Sequence, residues 1–377
     1  MENMPRWDIF CAVVDNYGDI GICWRLARQL ANEHGLAVRL WVDDLHPLSR
    51  LCPAADPSQA LQHIEGVEVR HWSSPFLTTD AADVVIEAFA CTLPELHINT
   101  MAARAQKPVW INLEYLSAES WVESCHGMTS PHPRLPLTKH FFFPGFTPAT
   151  GGLLREGDYD QQRASFDQAT FRTRLGLPAA QDGELTLSLF AYENSALPGL
   201  LDAWATGGAP IRCLIAEGRS LADVGKFFGG AECRAGDRFE RDSLSVHILP
   251  FVPQRDYDAL LWLCDLNFVR GEDSFVRAQW AEKPLVWQIY PQADAAHRVK
   301  LDAWLDRYLA ALPHAAANAT KNFWHAWNGD GDPAEHWSAF RAVLPSLQNL
   351  ARPWAQKIAL GGDLADRLLT FDTHHTV

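Results

Sequence analysis

The sequence lacks the features of several large classes of protein. No stretch approaches the roughly 18 consecutive apolar residues of a membrane-spanning helix, and the start, MENMPRWDIF, has no basic region followed by an apolar one, so export is not expected. None of the eight cysteines forms a CxxC pair, which favours buried, reduced thiols over metal ligands or disulfides. The sequence therefore predicts a cytoplasmic protein with no membrane partner.

Positive charge is also in short supply. The 377 residues contain 32 lysines and arginines against 46 aspartates and glutamates, which gives a formal net charge of −14. Such an acidic surface disfavours non-specific binding to nucleic acid, so we expect no nucleic-acid partner. It suits a partner or substrate that is locally basic.

A glycine-rich phosphate loop is missing as well. The first strand-like run ends in DNYGDIG, at 15–21, where Gly18 and Gly21 have GxxG spacing. This is neither GxGxxG nor a loop followed by GK[ST], so an oxidoreductase with a dinucleotide fingerprint is disfavoured. We expect the two glycines to let the backbone turn tightly between the strand and the helix.

The acidic residues of DNYGDIG need another explanation, because they would repel a phosphate. Asp15 closes the strand predicted at 8–14, and Asp19 comes just before a helix expected from about residue 20. Taken singly, Asp15 could be a turn residue and Asp19 a first-turn acid. Together, at the C-terminal edge of the first strand of an open sheet, they predict a carboxylate-lined site for a cation.

Strand-like and helix-like segments alternate in both halves of the chain, which favours an α/β protein with two doubly wound, Rossmann-like domains. The predicted domains are residues 1–180 and 181–350. A final segment, 351–377, is expected to hold an amphipathic helix at 354–369, starting after Pro353 and packing back on the first domain.

The second half carries a nucleotide signal in RGEDSF, at 270–275, between a strand and a helix. Ser274 is expected to cap this helix, whose N-terminus beside Arg270 suits a diphosphate. Arg277 could add charge. The alternative is an amphipathic helix with a good cap, but the order of strands and loops around it resembles the donor-sugar region of GT-B glycosyltransferases. By that resemblance Phe251 and Gln254 lie where the base is held, and 290–292 lies near the sugar.

Two aromatic residues end the first strand of this second half. Phe190 and Tyr192, in LFAYEN, alternate and so share one face of an extended segment. Aromatic rings at the ligand edge of a sheet can stack on a base or cover a sugar. The alternative is a pair of core aromatics.

Three motifs taken together resemble one family: DNYGDIG, NLEYLSAE at 112–119 and RGEDSFVRAQW at 270–280. The family is that of the bacterial elongation factor P arginine rhamnosyltransferases (EarP), and the resemblance runs along essentially the whole chain. It implies a GT-B architecture of two facing Rossmann-like domains with an interdomain cleft. It also implies transfer of L-rhamnose from dTDP-β-L-rhamnose to an arginine of elongation factor P, with inversion. The modified factor helps ribosomes through polyproline stalls.

Residue roles follow from the resemblance. It makes Asp19 the general base, Asp15 a supporting carboxylate and Glu272 a third catalytic acid, although spacing alone would not choose between Asp15 and Asp19. No metal or other cofactor is expected. The predicted donor-binding residues are Asn16, Tyr17, Gly18, Phe190, Tyr192, Phe251, Gln254, Arg270, Asp273, Ser274 and Tyr290.

Two other functions stay open from the residues alone. One is a GT-B glycosyltransferase that uses another nucleotide sugar on a small or different protein acceptor. The other is a non-catalytic partner of the translation machinery that keeps a nucleotide-sugar fold. The acidic pair at Asp15 and Asp19 argues against the second function, because a binding module has no need of a base.

Overall fold

The computed structural model describes residues 5–15, 17–76, 79–291 and 296–375. They form two compact units, Met1–Tyr159 with Lys357–Val377, and Asp160–Gln356. The first division lies at Tyr159 and not at the predicted residue 180, because the segment after Tyr159 packs in the second unit. There Arg163 forms an ion pair with Glu282 at 2.8 Å, and Phe171 joins that unit's core. No described helix has both the length and the apolar character needed to cross a membrane.

The first unit is built on an eight-stranded sheet. Its strands are β1 (Arg6–Cys11), β2 (Ala37–Val42), β3 (Leu61–Ile64), β4 (Val67–His71), β5 (Val84–Ala88), β6 (Val109–Leu113), β7 (Thr129–Pro131) and β8 (Thr138–Phe142). Their order is β3-β4-β2-β1-β5-β6-β8-β7. The six inner strands are parallel, and β3 and β7 add an antiparallel strand at each edge. The C-terminal ends of β1, β5 and β6 therefore lie side by side.

Helices cover this sheet: α1 (Gly18–Asn32), α2 (Leu45–Leu51), α3 (Glu95–Ala103) and α4 (Trp121–Cys125). The core contains a buried ion pair, in which Arg39 Nε and Nη2 each donate to a carboxylate oxygen of Asp8 at 2.6 Å. The Trp41 indole also donates to Asp8, at 3.2 Å. This geometry satisfies both oxygens of Asp8, which is the condition for holding a charge inside a core.

The second unit repeats the layered arrangement with a six-stranded sheet. The strand order is β11-β12-β10-β9-β13-β14, and only β11 is antiparallel to its neighbour. Its elements are α5 (Tyr159–Ala164), α6 (Gln168–Arg174), β9 (Leu185–Leu189), α7 (Leu197–Thr206), β10 (Ile211–Ala216), α8 (Leu221–Phe227), β11 (Arg238–Arg241), β12 (Leu244–Leu249), α9 (Gln254–Leu263), β13 (Leu266–Arg270), α10 (Asp273–Trp280), β14 (Leu285–Gln288), α11 (Ala296–Leu309), α12 (His314–Trp327) and α13 (Pro333–Ala359).

The C-terminal helix differs from the prediction. Pro353 lies inside α13, so no helix begins after it, and the prediction of a helix at 354–369 is wrong. The break falls instead between α13 and α14 (Leu364–His375), where Gly362 adopts a φ of +87°. Packing of buried residues on both sides of Pro353, such as Leu350 and Trp354, offsets the lost backbone hydrogen bond.

The segment after the break is attached to the rest of the first unit by Asp363. One carboxylate oxygen accepts the Arg155 N–H at 2.9 Å, and the other accepts the Gln29 side chain at 3.1 Å. Backbone bonds between Leu153 and both Gly362 and Leu364 run alongside. The first unit is thus completed by residues from the far end of the chain.

This attachment requires a glycine at position 152. Gly152 has a φ of +70°, and a Cβ there would lie 2.3 Å from the Gly362 carbonyl oxygen. We expect Gly152→Ala to lower the free energy of unfolding by roughly 2–4 kcal/mol, the sum of left-handed strain and overpacking. Gly35→Ala is the matched control, since Gly35 has a φ of +67° with nothing within 4 Å. It should cost only about 1 kcal/mol. Urea unfolding of both variants measures this, and equal losses would contradict it.

Candidate active site

The loop that follows β1 is held by the carboxylate of Asp19. Asp19 Oδ2 accepts the backbone N–H groups of Val14 at 2.9 Å and Asp15 at 2.8 Å. Asp19 lies in the first turn of α1, yet its side chain binds backward to the loop and not to the helix, whose N-cap residue is Tyr17. The carboxylate is 2% exposed, so it sits beneath the loop at the C-terminal end of β1.

The environment of Asp19 favours a basic carboxylate. Burial raises its pKa above the ordinary value, and the negative charge of Asp43 raises it further. Hydrogen bonds from the amides of Asp15 and Val14 and from the Tyr115 side chain act in the opposite direction. Asp43 itself accepts the Val13 N–H at 2.8 Å. The loop amides are therefore held by two carboxylates.

Gly18 makes room for Asp15. Gly18 donates its N–H to the Asp15 carbonyl at 2.6 Å, and a Cβ on Gly18 would lie 2.7 Å from Asp15 Oδ2. Both Gly18 and Gly21 lie inside α1, and neither is among the residues with left-handed backbone. The expectation that these glycines permit a tight turn is wrong. The small size of Gly18 matters, because it lets the Asp15 carboxylate lie against the helix start.

The remaining predicted residues of this loop are placed as follows. Tyr17 is the N-cap residue of α1, and Gly18 is its first residue. Asn16 lies outside the described residues. Together with Asp15 and Asp19 they belong to the first unit, whereas every other predicted site residue belongs to the second unit.

In the second unit, Arg270 is enclosed by two aromatic rings. Its guanidinium carbon lies 4.5 Å from the ring centroid of Phe190 and 4.5 Å from that of Tyr192. Tyr192 also meets Tyr290 edge to face, with centroids 5.6 Å apart. The two rings that were expected to face a ligand thus flank a buried cation at the end of β13.

The turn after β13 is fixed by Ser274 and Trp287. The Ser274 hydroxyl accepts the Arg270 N–H at 3.1 Å and donates to the Arg270 carbonyl. The Trp287 indole donates to the carbonyl of Gly271 at 2.8 Å, where φ is +63°. The prediction that Ser274 caps α10 is wrong: Glu272 is the N-cap residue, and its side chain makes no capping hydrogen bond. The first turn of α10 therefore carries the positive end of the helix dipole without a side-chain cap.

Arg277 does not contribute to this charge. Its Nε and Nη2 donate to the two oxygens of Asp258, at 2.8 and 2.7 Å, and the side chain is 1% exposed. Asp258 comes from α9. The pair ties two helices together inside the unit, so the expected role of Arg277 near a phosphate is wrong.

Further residues complete the same edge of the sheet. The Gln254 side chain donates to Asp273 at 3.0 Å, and Phe251 follows the end of β12. Sequence reasoning missed Trp287 and Gln288. The side-chain carbonyl of Gln288 accepts the Tyr192 N–H at 2.8 Å. Trp287 and Gln288 both lie in β14, whose apolar composition indicated a core strand only. Their positions at a strand end were the signal that could have revealed them.

Both units have the parallel-sheet design of GT-B glycosyltransferases, and solved structures share this fold. A glycosyltransferase from Rickettsia africae ESF-5 aligns over 99% of this chain and 98% of its own, with a TM-score of 0.55 at 8% sequence identity. At that identity the match shows the fold alone. The architecture of the two units is that of the GT-B fold.

The particular family is shown by the sequence. Residues 7–373 match the family described as Elongation-Factor P (EF-P) rhamnosyltransferase EarP, and the chain belongs to that family. A protein-arginine rhamnosyltransferase from Pseudomonas putida is 52% identical, over 97% of this chain and 98% of its own. The Pseudomonas aeruginosa protein of the same name is 51% identical, over 98% and 99%.

A solved structure agrees with this assignment. A chain from the structural work on EarP-mediated arginine glycosylation of translation elongation factor EF-P has a TM-score of 0.71. It is 38% identical and covers 98% of this chain and 99% of its own. The resemblance predicted from the three motifs is confirmed at the level of the family.

The contact between Gly18 and Asp15 gives a test of the loop. We expect Gly18→Ala to change the free energy of unfolding by less than about 1 kcal/mol, because alanine favours a helix and the Asp15 side chain can swing away. Glycosyl transfer should nevertheless fall by roughly tenfold or more, since the Asp15 carboxylate is displaced.

The control is Gly199→Ala, a change in α7 where the nearest atom to a new Cβ is 3.8 Å away. It should leave transfer unchanged and raise the free energy of unfolding by up to about 1 kcal/mol, because alanine favours a helix. Transfer rates and urea unfolding of the two variants are the measurements. A Gly18→Ala enzyme with normal transfer would show that the position of Asp15 is unimportant.

Proposed function

We propose that the protein transfers L-rhamnose from dTDP-β-L-rhamnose to an arginine side chain of elongation factor P, with inversion at the anomeric carbon. The observation that carries the proposal is the buried Asp19 carboxylate beside Asp15 and Asp43 in a chain of the EarP family. The names of the relatives support the acceptor and the sugar. The nucleotide, the stereochemistry and the residue roles are our inference.

The acceptor chemistry explains the acidic loop. The pKa of a free arginine lies far above neutral pH, so its guanidinium arrives charged and its nitrogen lone pairs are delocalised. A carboxylate that is hydrogen-bonded to the attacking nitrogen localises electron density there and accepts the proton as the C–N bond forms. The resemblance to the family assigns this role to Asp19, and the burial that raises its pKa supports the assignment. Asp15, which lies against Gly18, supports the guanidinium by charge and hydrogen bonding.

The donor chemistry is assigned to the second unit. In an inverting displacement, negative charge develops on the departing diphosphate while the sugar carbon becomes oxocarbenium-like. Arg270 and the N-terminus of α10, which has no side-chain cap, supply positive charge for the diphosphate. We therefore expect transfer without a divalent ion, and chelation should leave the rate unchanged.

The remaining predicted residues keep their proposed roles. Glu272 is the N-cap residue of α10 and is proposed to orient the guanidinium or the sugar ring. Donor binding by Phe190, Tyr192, Phe251, Gln254, Asp273, Ser274 and Tyr290, and by Asn16, Tyr17 and Gly18 near the acceptor loop, stays a prediction. Cytoplasmic location also stays a prediction, and it suits an acceptor that works on ribosomes.

The direct experiment incubates the protein with dTDP-β-L-rhamnose and elongation factor P. Mass spectrometry should find one deoxyhexose added to a single arginine, and NMR of the product should show the inverted anomeric configuration. UDP-glucose in place of the donor, and a factor with that arginine changed to lysine, are the controls. Transfer from another nucleotide sugar at equal rate would replace the donor assignment, and binding without turnover would favour a non-catalytic partner.

Removing the base should abolish chemistry and spare the donor. In Asp19→Asn the side-chain carbonyl can still accept the amides of Val14 and Asp15, but it cannot take a proton. Transfer should fall by roughly 10²–10⁴-fold, while the Kd for dTDP, measured by calorimetry, stays within about twofold. Asp56→Asn, at an exposed carboxylate of the first unit, should change neither. A matching loss of dTDP affinity in Asp19→Asn would assign Asp19 to the donor.

Removing the Arg270 guanidinium should weaken donor binding, which Asp19→Asn is expected to spare. Arg270→Ala deletes the guanidinium between Phe190 and Tyr192 and should weaken dTDP binding by roughly 10- to 100-fold, the value of a hydrogen bond to a charged group. Arg219→Ala removes a half-exposed arginine of the same unit and should leave dTDP binding unchanged. An unchanged Kd in Arg270→Ala would exclude its role in donor binding.

A further inference from the structure

Tyr115 reaches the acceptor carboxylate from a different strand. It follows β6 by two residues, and its side chain forms a hydrogen bond with Asp19, which follows β1. Strand β5 lies between β1 and β6 in the sheet. The side chain of Tyr115 therefore spans the end of β5 to contact Asp19.

The end of β5 is shaped to support this span. The ring of Phe89 stacks on that of Tyr115, with centroids 4.8 Å apart and 24° between the planes. The Phe89 N–H donates to the carbonyl of Leu113 at 2.7 Å, which ties it to the end of β6. Phe89 is almost wholly buried, so its ring is a fixed platform under the tyrosine.

Backbone strain is concentrated at the same place. Phe89 and Ala90 have φ values of 56° and 53°, two consecutive residues other than glycine in the left-handed region. Each such residue costs on the order of 1 kcal/mol and persists only where the surroundings fix it. Cys91, next in the chain, donates its thiol to the Phe10 carbonyl of β1 at 3.4 Å. The strained turn after β5 is thus tied to Phe10 of β1 and to Leu113 of β6.

We propose that Tyr115 is a positioning residue for the acceptor site: its hydroxyl, held by the Phe89 ring, fixes the orientation of the Asp19 carboxylate that receives the proton from arginine. The inference rests on the proposed function, since it takes Asp19 as the base. Two loop amides hold Asp19 Oδ2, and the tyrosine supplies a side-chain donor from another direction. With donors from two elements the carboxylate has one orientation in which to meet the guanidinium.

The Tyr115 hydroxyl also affects the pH above which Asp19 can act as a base. Donation by a hydroxyl favours the charged carboxylate and so lowers its pKa, against the effect of burial. Removing the hydroxyl should raise the pKa of Asp19. The base would then stay protonated up to higher pH, and the acidic limb of the pH–kcat profile would move upward.

The test compares Tyr115→Phe with the wild type. We expect kcat for rhamnosyl transfer at pH 7 to fall roughly tenfold, the loss of a hydrogen bond to a charged group. The acidic limb should move to higher pH, and KM for the donor should not change. Tyr308→Phe is the matched control, a hydroxyl removed from a buried tyrosine of the second unit, and it should match the wild type. An acidic limb that stays in place in Tyr115→Phe would overturn the inference.

A second measurement separates this inference from the proposed function. NMR titration of ¹³C-labelled aspartate, with the Asp19 signal assigned by Asp19→Asn, follows the Asp19 pKa without any transfer reaction. If the wild type transfers no rhamnose, the proposed function fails, yet an upward shift in Tyr115→Phe would still support the positioning role. Phe89→Leu keeps the hydroxyl but removes its platform, and it should give a smaller shift in the same direction. No shift in either variant would overturn the role of Tyr115.

Discussion

The organisation of the proposed acceptor site depends on one carboxylate that accepts two backbone amides. Asp19 accepts the N–H groups of Val14 and Asp15 at the end of a parallel strand, from the first turn of the next helix. The loop conformation, the position of Asp15 and the burial of the proposed base all follow from this contact. Folding of the loop therefore also places the Asp19 carboxylate, before any substrate binds.

The second unit holds a positive charge at a strand end, again by a side chain that bonds to the backbone. There the charge is positive, and the backbone of Arg270 is held at both its N–H and its carbonyl by the Ser274 hydroxyl. The rings of Phe190 and Tyr192 hold the guanidinium itself. In each unit a side chain from the helix start reaches back to the strand end that precedes it. The first unit thus presents negative charge, and the second unit positive charge, where a parallel strand turns into a helix.

The alternation of strands and helices could be predicted from the sequence because it depends on local apolar runs. The predicted doubly wound arrangement of both halves is confirmed by the two mainly parallel sheets, and the family followed from three motifs. The failures concern partners that are distant in the chain. Arg277 was assigned to a phosphate because nothing local indicates Asp258, 19 residues earlier. Gly18 was interpreted as a turn residue, but its role depends on its contact with the Asp15 side chain. The local sequence does not indicate that contact.

Distant partners also explain why the predictions for Ser274 and Pro353 were wrong. A serine at a helix start is ordinarily a cap, and only the position of the Arg270 backbone shows why this one is not. A proline ordinarily ends a helix, and only the packing around α13 shows why Pro353 does not. Roles such as that of Tyr115, which acts across two neighbouring strands, require the sheet order before they can be recognised.

The enclosure of Arg270 has a consequence for the energetics of recognition. A cation in water must lose its hydration shell before it binds an anion, and the free energy of this dehydration weakens the affinity. Arg270 is 5% exposed and lies between two rings, so its dehydration was completed when the chain folded. In the proposed function, more of the binding energy from the nucleotide is then left for distorting the sugar toward its transition state. The cost of dehydrating Arg270 would be met during folding, as a lower stability of the native state.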